Sequence, residues 1–134
     1  MTIAQRVAQI IGWAFVVIGI AGFFVTGMSM ESDPEMAPKL LGLFPLNVLH
    51  NVVHLLFGVW GIIASRTYLS ARTYDRVAGI AYLGLAVLGA FSPDMFGMVP
   101  IGFHDIWLHV LLGLVLAIAG FAPRPAEVGT PART

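Results

Sequence analysis

The chain contains no cysteine, and only 10% of its 134 residues are charged, seven basic against seven acidic. Without cysteine there are no disulfides, no thiol catalysis and no zinc or iron–sulfur site built on thiolates. The shortage of charge excludes more. A soluble domain carries roughly 25% charged residues, and a chain that is 58% hydrophobic lacks the polar surface to cover itself in water. No cluster of Lys and Arg forms the basic stripe that phosphate neutralisation needs, so nucleic acid is not an expected partner. Nucleotide-binding glycine motifs, a Walker sequence, a catalytic triad and HExxH are all absent from the sequence. Lipid is the solvent that fits this composition.

What the chain has is long apolar runs. With about 20 residues needed per membrane-crossing helix, the segments Val7–Gly27, Leu46–Ala64, Val77–Phe91 and Phe103–Phe121 read as four crossings. The third is short for a span and would borrow Thr73, Tyr74 and Ser92 at its ends. Met28-Ser29-Met30-Glu31 follows the first segment where a signal peptide would carry small residues, so that segment reads as a retained helix. Residues 1–122 are thus expected to form a single four-helix transmembrane domain. Phe121-Ala-Pro-Arg-Pro ends the last helix, because proline disfavours helical geometry in the residue before it, and residues 123–134 are expected to be a flexible cytoplasmic tail.

The second half of the chain repeats the first. Arg6-Val7-Ala8 matches Arg76-Val77-Ala78, and that offset places Gly19 on Gly89. Gly42-Leu-Phe-Pro45-Leu46 aligns with Gly97-Met-Val-Pro100-Ile101, after which His54 falls on His109 and Gly58 on Gly113. The expected fold is all-α: an integral membrane four-helix up-down bundle made of two tandem helical hairpins, one over about 6–64 and the other over about 76–121. Two crossings per repeat give both hairpins the same direction of insertion, related by a pseudo-twofold axis along the membrane normal.

That symmetry brings the chemistry-bearing residues together. His50 and His54 stand four apart on one face of the second helix, and Asp105 and His109 do the same on the fourth. The repeat superposes His50 on Asp105 and His54 on His109, so three imidazoles and a carboxylate are expected to converge at one depth. Such a set suits a divalent transition metal: zinc in tetrahedral geometry, or copper, iron or manganese in others. Asn47, Asn51 and His104 are the expected supporting partners, with Asn47 also capping the second helix. A structural reading stands beside the metal. The same residues can satisfy one another as a hydrogen-bond network inside a non-catalytic scaffold, and Asp105 suits the positive end of a helix dipole. A third reading makes His54 and His109 the axial ligands of haem b. No catalytic residue is assigned, and whether the chain is an enzyme stays open.

The segment Leu43-Phe-Pro45-Leu-Asn47-Val-Leu-His50-Asn51-Val-Val-His54-Leu-Leu-Phe-Gly58, with Asp105-Ile-Trp-Leu-His109-Val-Leu-Leu-Gly113, resembles a bacterial four-span membrane family, domain of unknown function 4383. The likeness covers about residues 5–122. Its members look like N-x-x-H-N-x-x-H-x-x-x-G in the second helix and D-N-x-x-H in the fourth, where this chain has Ile106 in place of the asparagine. The resemblance implies a small bacterial inner-membrane protein and supplies no reaction or ligand. Beyond the bilayer, the expected partners are a second copy of the chain or another membrane protein.

Arginine placement sets the expected direction of insertion. Arg6, Arg66, Arg72, Arg76, Arg124 and Arg133 fall on one side of the four segments, while Lys39 falls on the other with Glu31, Asp33, Glu35 and Asp94. Basic residues near helix ends are retained in the cytoplasm, which places both termini and the Ser65–Asp75 connection there. A reporter fused to the C-terminus is expected to read out cytoplasmic, and an extracellular reading would overturn the orientation.

Overall fold

The computed structural model describes residues 1–124. Arg133 and nearly all of the expected tail lie outside the described residues. The four helices are α1 (Ile3–Thr26), α2 (Val48–Ala64), α3 (Tyr68–Phe91) and α4 (Phe103–Phe121). A two-stranded antiparallel hairpin, β1 (Lys39–Leu40) with β2 (Phe44–Pro45), sits in the loop between α1 and α2. The fold is all-α, a four-helix bundle.

Local chemistry sets the helix starts. Thr2 and Gln5 form a reciprocal capping box on α1, Asn47 accepts from the His50 N–H at 2.9 Å, and Thr67 accepts from the Ser70 N–H. Thr67 explains the main departure from the expected segments. Its cap starts α3 at Tyr68, so most of the expected Ser65–Asp75 connection is helix and α3 is 24 residues long. The shortest helix is instead α2, whose 17 residues rise about 26 Å. By length and composition α1, α3 and α4 are each able to cross a membrane, and α2 is a shorter apolar helix beside them.

The polar residues that resemble a loop in the sequence are used at the start of α3. Arg72 and Arg76 each donate from Nε to the Gly120 carbonyl, at 2.9 and 2.7 Å. They thereby satisfy an unpaired carbonyl at the C-terminus of α4 and sit at the negative end of its dipole. Gln5 reaches from α1 to the Ser65 carbonyl at the end of α2, so the same end of the bundle gathers both helix starts and both helix ends. We call it the arginine end; the opposite one, carrying the two long connections, is the loop end.

Size is inverted between interior and surface. Ala4, Ala8, Ala64, Ala71, Ala78, Gly12, Gly58 and Gly79 are buried, whereas Ile10, Trp13, Val17, Ile20 and Phe24 on α1 and Phe103, Leu111, Leu114 and Ile118 on α4 are exposed. Water would penalise such a surface, and lipid does not. In lipid the helices gain little from burying apolar area against one another, so they associate through close packing at small residues. A Cβ built on Gly58 would stand 2.8 Å from the Gly12 carbonyl oxygen and the Val16 nitrogen. One on Gly79 would stand 2.7 Å from the Ala117 nitrogen. Each hairpin is closed at a glycine.

The two hairpins share one pattern of burial, with α1 and α3 in a different register from the one that Arg6 and Arg76 suggest. Ala4, Ala8, Ile11, Gly12, Phe15, Gly19 and Gly22 are buried in α1, and Ala71, Asp75, Ala78, Gly79, Tyr82, Ala86 and Gly89 are buried with the same spacing in α3. Phe15 therefore corresponds to Tyr82, about one turn from the position given by the arginine match. In α2 and α4, His50, His54, Gly58, Gly61 and Ala64 correspond to Asp105, His109, Gly113, Leu116 and Ala119. Even the loops agree: Leu41 and Gly42, like Phe96 and Gly97, take consecutive positive φ angles, with 70° at Gly42 and 81° at Gly97.

Replacing Gly58 with alanine is expected to lower stability by about 2 kcal/mol, because two backbone atoms of α1 stand in the way beside the Val16 side chain and backbone cannot swing aside. Gly84→Ala, where a Cβ meets nothing within 4 Å, is expected to be neutral or to gain up to about 1 kcal/mol. Denaturation of the two variants in detergent checks the pair; equal stabilities would contradict the glycine contact.

Candidate functional site

The interior changes character toward the loop end. In place of Ala and Gly it holds five rings, contributed by all four helices. His50 lies 4.5 Å from His54, His54 is 5.5 Å from Phe15, Phe15 is 5.2 Å from Tyr82, Tyr82 is 4.8 Å from His109, and His109 is 6.4 Å from His50, centroid to centroid. These contacts form a closed circuit. Its parallel partners are the stacked rings of Phe15 with Tyr82 and of Tyr82 with His109, a geometry that adds to simple area burial.

Around this layer the other sequence-predicted residues hold the fold. Asn47 caps α2 and donates from Nδ2 to the Met98 carbonyl at 2.8 Å, tying the two loops together. Asn51 donates from Nδ2 to Thr26 Oγ1 at 2.9 Å, joining α2 to the end of α1. His104 turns toward the surface and accepts at Nδ1 from the Trp107 indole. Asp105 does not send its carboxylate to the imidazoles. Its Oδ2 accepts from the Gly102 N–H at 2.9 Å, one position before its own helix.

The symmetry explains that choice. Asn47 and Gly102 are equivalent cap positions, and His50 and Asp105 are the equivalent third residues of their helices. A Cβ at Gly102 would stand 2.9 Å from the Pro45 ring, so α4 has no room for a capping side chain. Asp105 caps from inside the helix instead, its carboxylate accepting from the Gly102 N–H, and its charge suits the N-terminal dipole.

Three imidazoles remain. His109 donates from Nδ1 to the Asp105 carbonyl at 2.6 Å, since a carbonyl oxygen only accepts, and this leaves Nε2 as the bare nitrogen. Nδ1 of His50 and Nδ1 of His54 are buried and have no hydrogen-bond partner. Among the described residues, no group of three or more His, Asp or Glu side chains is arranged to hold a metal ion. His50, His54 and His109 come together, and the carboxylate expected among them does not.

Two cavities flank the layer. One, of about 240 Å³, lies between α2 and α3 beneath the second loop and is lined by His50, Val53, His54, Tyr82, Leu85, Met95, Ile101 and His109 among others. The other, of about 170 Å³, lies between α1 and α4 beneath the β-hairpin and includes Asp105, Leu108, His109, Phe15, Ile18, Leu46 and His54. Most lining residues correspond under the pseudo-twofold: His50 with Asp105, Val53 with Leu108, Tyr82 with Phe15, Leu85 with Ile18 and Ile101 with Leu46. His54, Tyr82 and His109 line both.

Sequence reasoning missed Phe15 and Tyr82 as members of the layer. The signal was present: aligning the halves on their small residues instead of their arginines pairs these two rings. It also missed Asp75, placed in a connection but in fact fully buried in α3, with both carboxylate oxygens unpartnered beside Tyr74, whose hydroxyl is also unpartnered.

Apolar helices, an inverted size distribution and a layer of imidazoles at one end define the class as a small helical-bundle protein suited to a lipid bilayer. A family model matches residues 5–122, and the chain belongs to that family, the domain of unknown function DUF4383. No curated protein and no solved structure matches it.

Removing the Asp105 carboxylate tests its capping role. Asp105→Ala is expected to lower stability by about 1 kcal/mol, whereas Asp105→Glu, the preferred residue for reaching back to a cap, stays within about 0.5 kcal/mol of the parent. Chemical denaturation in detergent reads both, and an unchanged Asp105→Ala variant would contradict the assignment.

Proposed function

We propose that the chain is a multi-pass protein of the bacterial inner membrane, with four crossings, both termini in the cytoplasm and the loop end outside, whose imidazole layer binds a ligand near the outer face. The arginines gathered at one end support the orientation, and the repeated pattern of burial supports an origin by duplication of a hairpin. One observation carries the binding reading: Nδ1 of His50 and Nδ1 of His54 are buried without partners beside a cavity. In a finished structural network those nitrogens would be satisfied.

A divalent transition metal is the first ligand this donor set favours. His109 already has the arrangement common among ligating histidines, with one nitrogen donating to a carbonyl and the other bare. His50, His54 and His109 all border the cavity between α2 and α3, which makes these three imidazoles the candidate donors to a common ion. Asp105 stays at its cap, so the proposed site is three-nitrogen with an open position, which suits zinc, copper, iron or manganese. Haem b between His54 and His109 is the weaker alternative, because Phe15 and Tyr82 stack on those imidazoles and each flanking cavity is small.

Elemental analysis of detergent-purified protein tests the metal. About one equivalent is expected in the parent, falling at least tenfold in a His54→Ala, His109→Ala double variant that remains folded. Sub-stoichiometric metal that the double variant leaves unchanged would favour the non-catalytic scaffold, in which this layer holds the helices together beside a partner protein or a second copy. A Soret band in the parent would turn the assignment to haem.

A further inference from the structure

The cavity between α2 and α3 differs from its symmetry mate in just the features that select a ligand. It is the larger, at about 240 Å³ against about 170 Å³. Where the mate has Asp105, with its carboxylate committed to the cap, this cavity has His50, with an unpartnered nitrogen. Tyr82 borders both cavities, whereas its counterpart Phe15 borders the mate alone, so the tyrosine is the one stacking ring this cavity has.

We propose that this cavity receives the head ring of a lipid-soluble quinone or quinol. An apolar cavity of about 150 Å³ already holds benzene, so about 240 Å³ accommodates one substituted six-membered ring. Apart from the imidazoles and the tyrosine, the walls are aliphatic or thioether side chains, which disfavour a charged headgroup. The flat face of Tyr82 and the sulfur of Met95 suit an aromatic or quinoid ring. His50 is 4% exposed and His54 8%, so their unpartnered nitrogens are shielded from solvent and the occupant must bring the hydrogen-bonding atom. A ring oxygen does so for either tautomer. As a carbonyl it accepts from an imidazole N–H, and as a hydroxyl it donates to a bare nitrogen.

The way in also points to a lipid-borne ligand. Leu49, Val53 and Leu85 are half-buried along the α2/α3 seam, within the apolar length of the bundle. A tail leaving through that seam would lie among acyl chains. This inference goes beyond the metal reading and does not need it.

The test uses the full chain in lipid nanodiscs, treated with chelator so that metal plays no part, and titrated with a decyl-tailed benzoquinone against decanol as a tail-only control. Saturable binding of about one quinone per chain is expected, with none for decanol. Leu85→Trp fills this cavity without replacing an imidazole and is expected to weaken binding at least tenfold. Ile18→Trp fills the equivalent position of the other cavity and is expected to leave binding unchanged. Val53→Met, a milder filling of the same cavity, keeps the test standing if Leu85→Trp does not fold. Non-saturable uptake, equal binding by parent and by folded Leu85→Trp or Val53→Met, or equal losses in Leu85→Trp and Ile18→Trp would each overturn the proposal. Failure here with metal still bound leaves the metal reading intact, and the reverse result separates them equally well.

Discussion

Backbone-to-backbone contact at glycine is the constraint on which the other features of this bundle depend. At Gly58 of α2 and Gly79 of α3 the neighbouring helix approaches to where a Cβ would be, leaving no space between the helices of a hairpin. Such contact is how helices associate in a medium that offers no hydrophobic reward for doing so. It forces large side chains outward and leaves an interior of alanine and glycine for much of the length of the bundle. Tyr74 is the one ring fully buried in that stretch, fitted against Gly61. At the loop end rings arrive from every helix at once.

The loop end must still account for its polar atoms, since an unsatisfied group in hydrocarbon is costly. Asn47 and Asp105 meet that demand by tying loops and helix ends, Asn51 meets half of it through Thr26 while its Oδ1 has no partner, and His109 meets half through the Asp105 carbonyl. Nδ1 of His50 and Nδ1 of His54 have no such partner. Among the unpartnered buried groups, His50 and His54 border the cavity between α2 and α3, whereas Asn51, Tyr74 and Asp75 do not, and that position is what makes the two imidazoles available to a ligand. Asp105 is reassigned, because steric pressure from Pro45 on Gly102 leaves α4 dependent on that carboxylate for its cap. A single aspartate so committed is a poor metal ligand.

Much of this was legible in the sequence, for physical reasons that differ between residues. The i, i+4 pairs His50/His54 and Asp105/His109 follow from helical geometry, and the G-x-x-P sequences mark loops with the same positive-φ turn. Segment limits failed at α3, where Thr67 caps the helix and Arg72 and Arg76 find the end of α4; capping by a threonine outweighs local polarity that only tertiary contacts explain. The register between α1 and α3 failed because a match of exposed arginines says less than a match of buried small residues. The helix-start role of Asp105 was one of two readings the sequence offered, and the choice between them was not legible, since the Pro45 contact that decides it spans separate repeats.

The central claim is that His54 and His109 face the interior, each stacked on a ring from another helix. Solid-state NMR of the protein in bilayers, with ring-labelled histidine and aromatic residues and protonated lipid, tests it directly. Through-space transfer is predicted between His54 and Phe15 and between His109 and Tyr82, with His109 protonated at Nδ1. Transfer from the lipid acyl chains to either imidazole, without the Phe15 and Tyr82 contacts, would contradict the account.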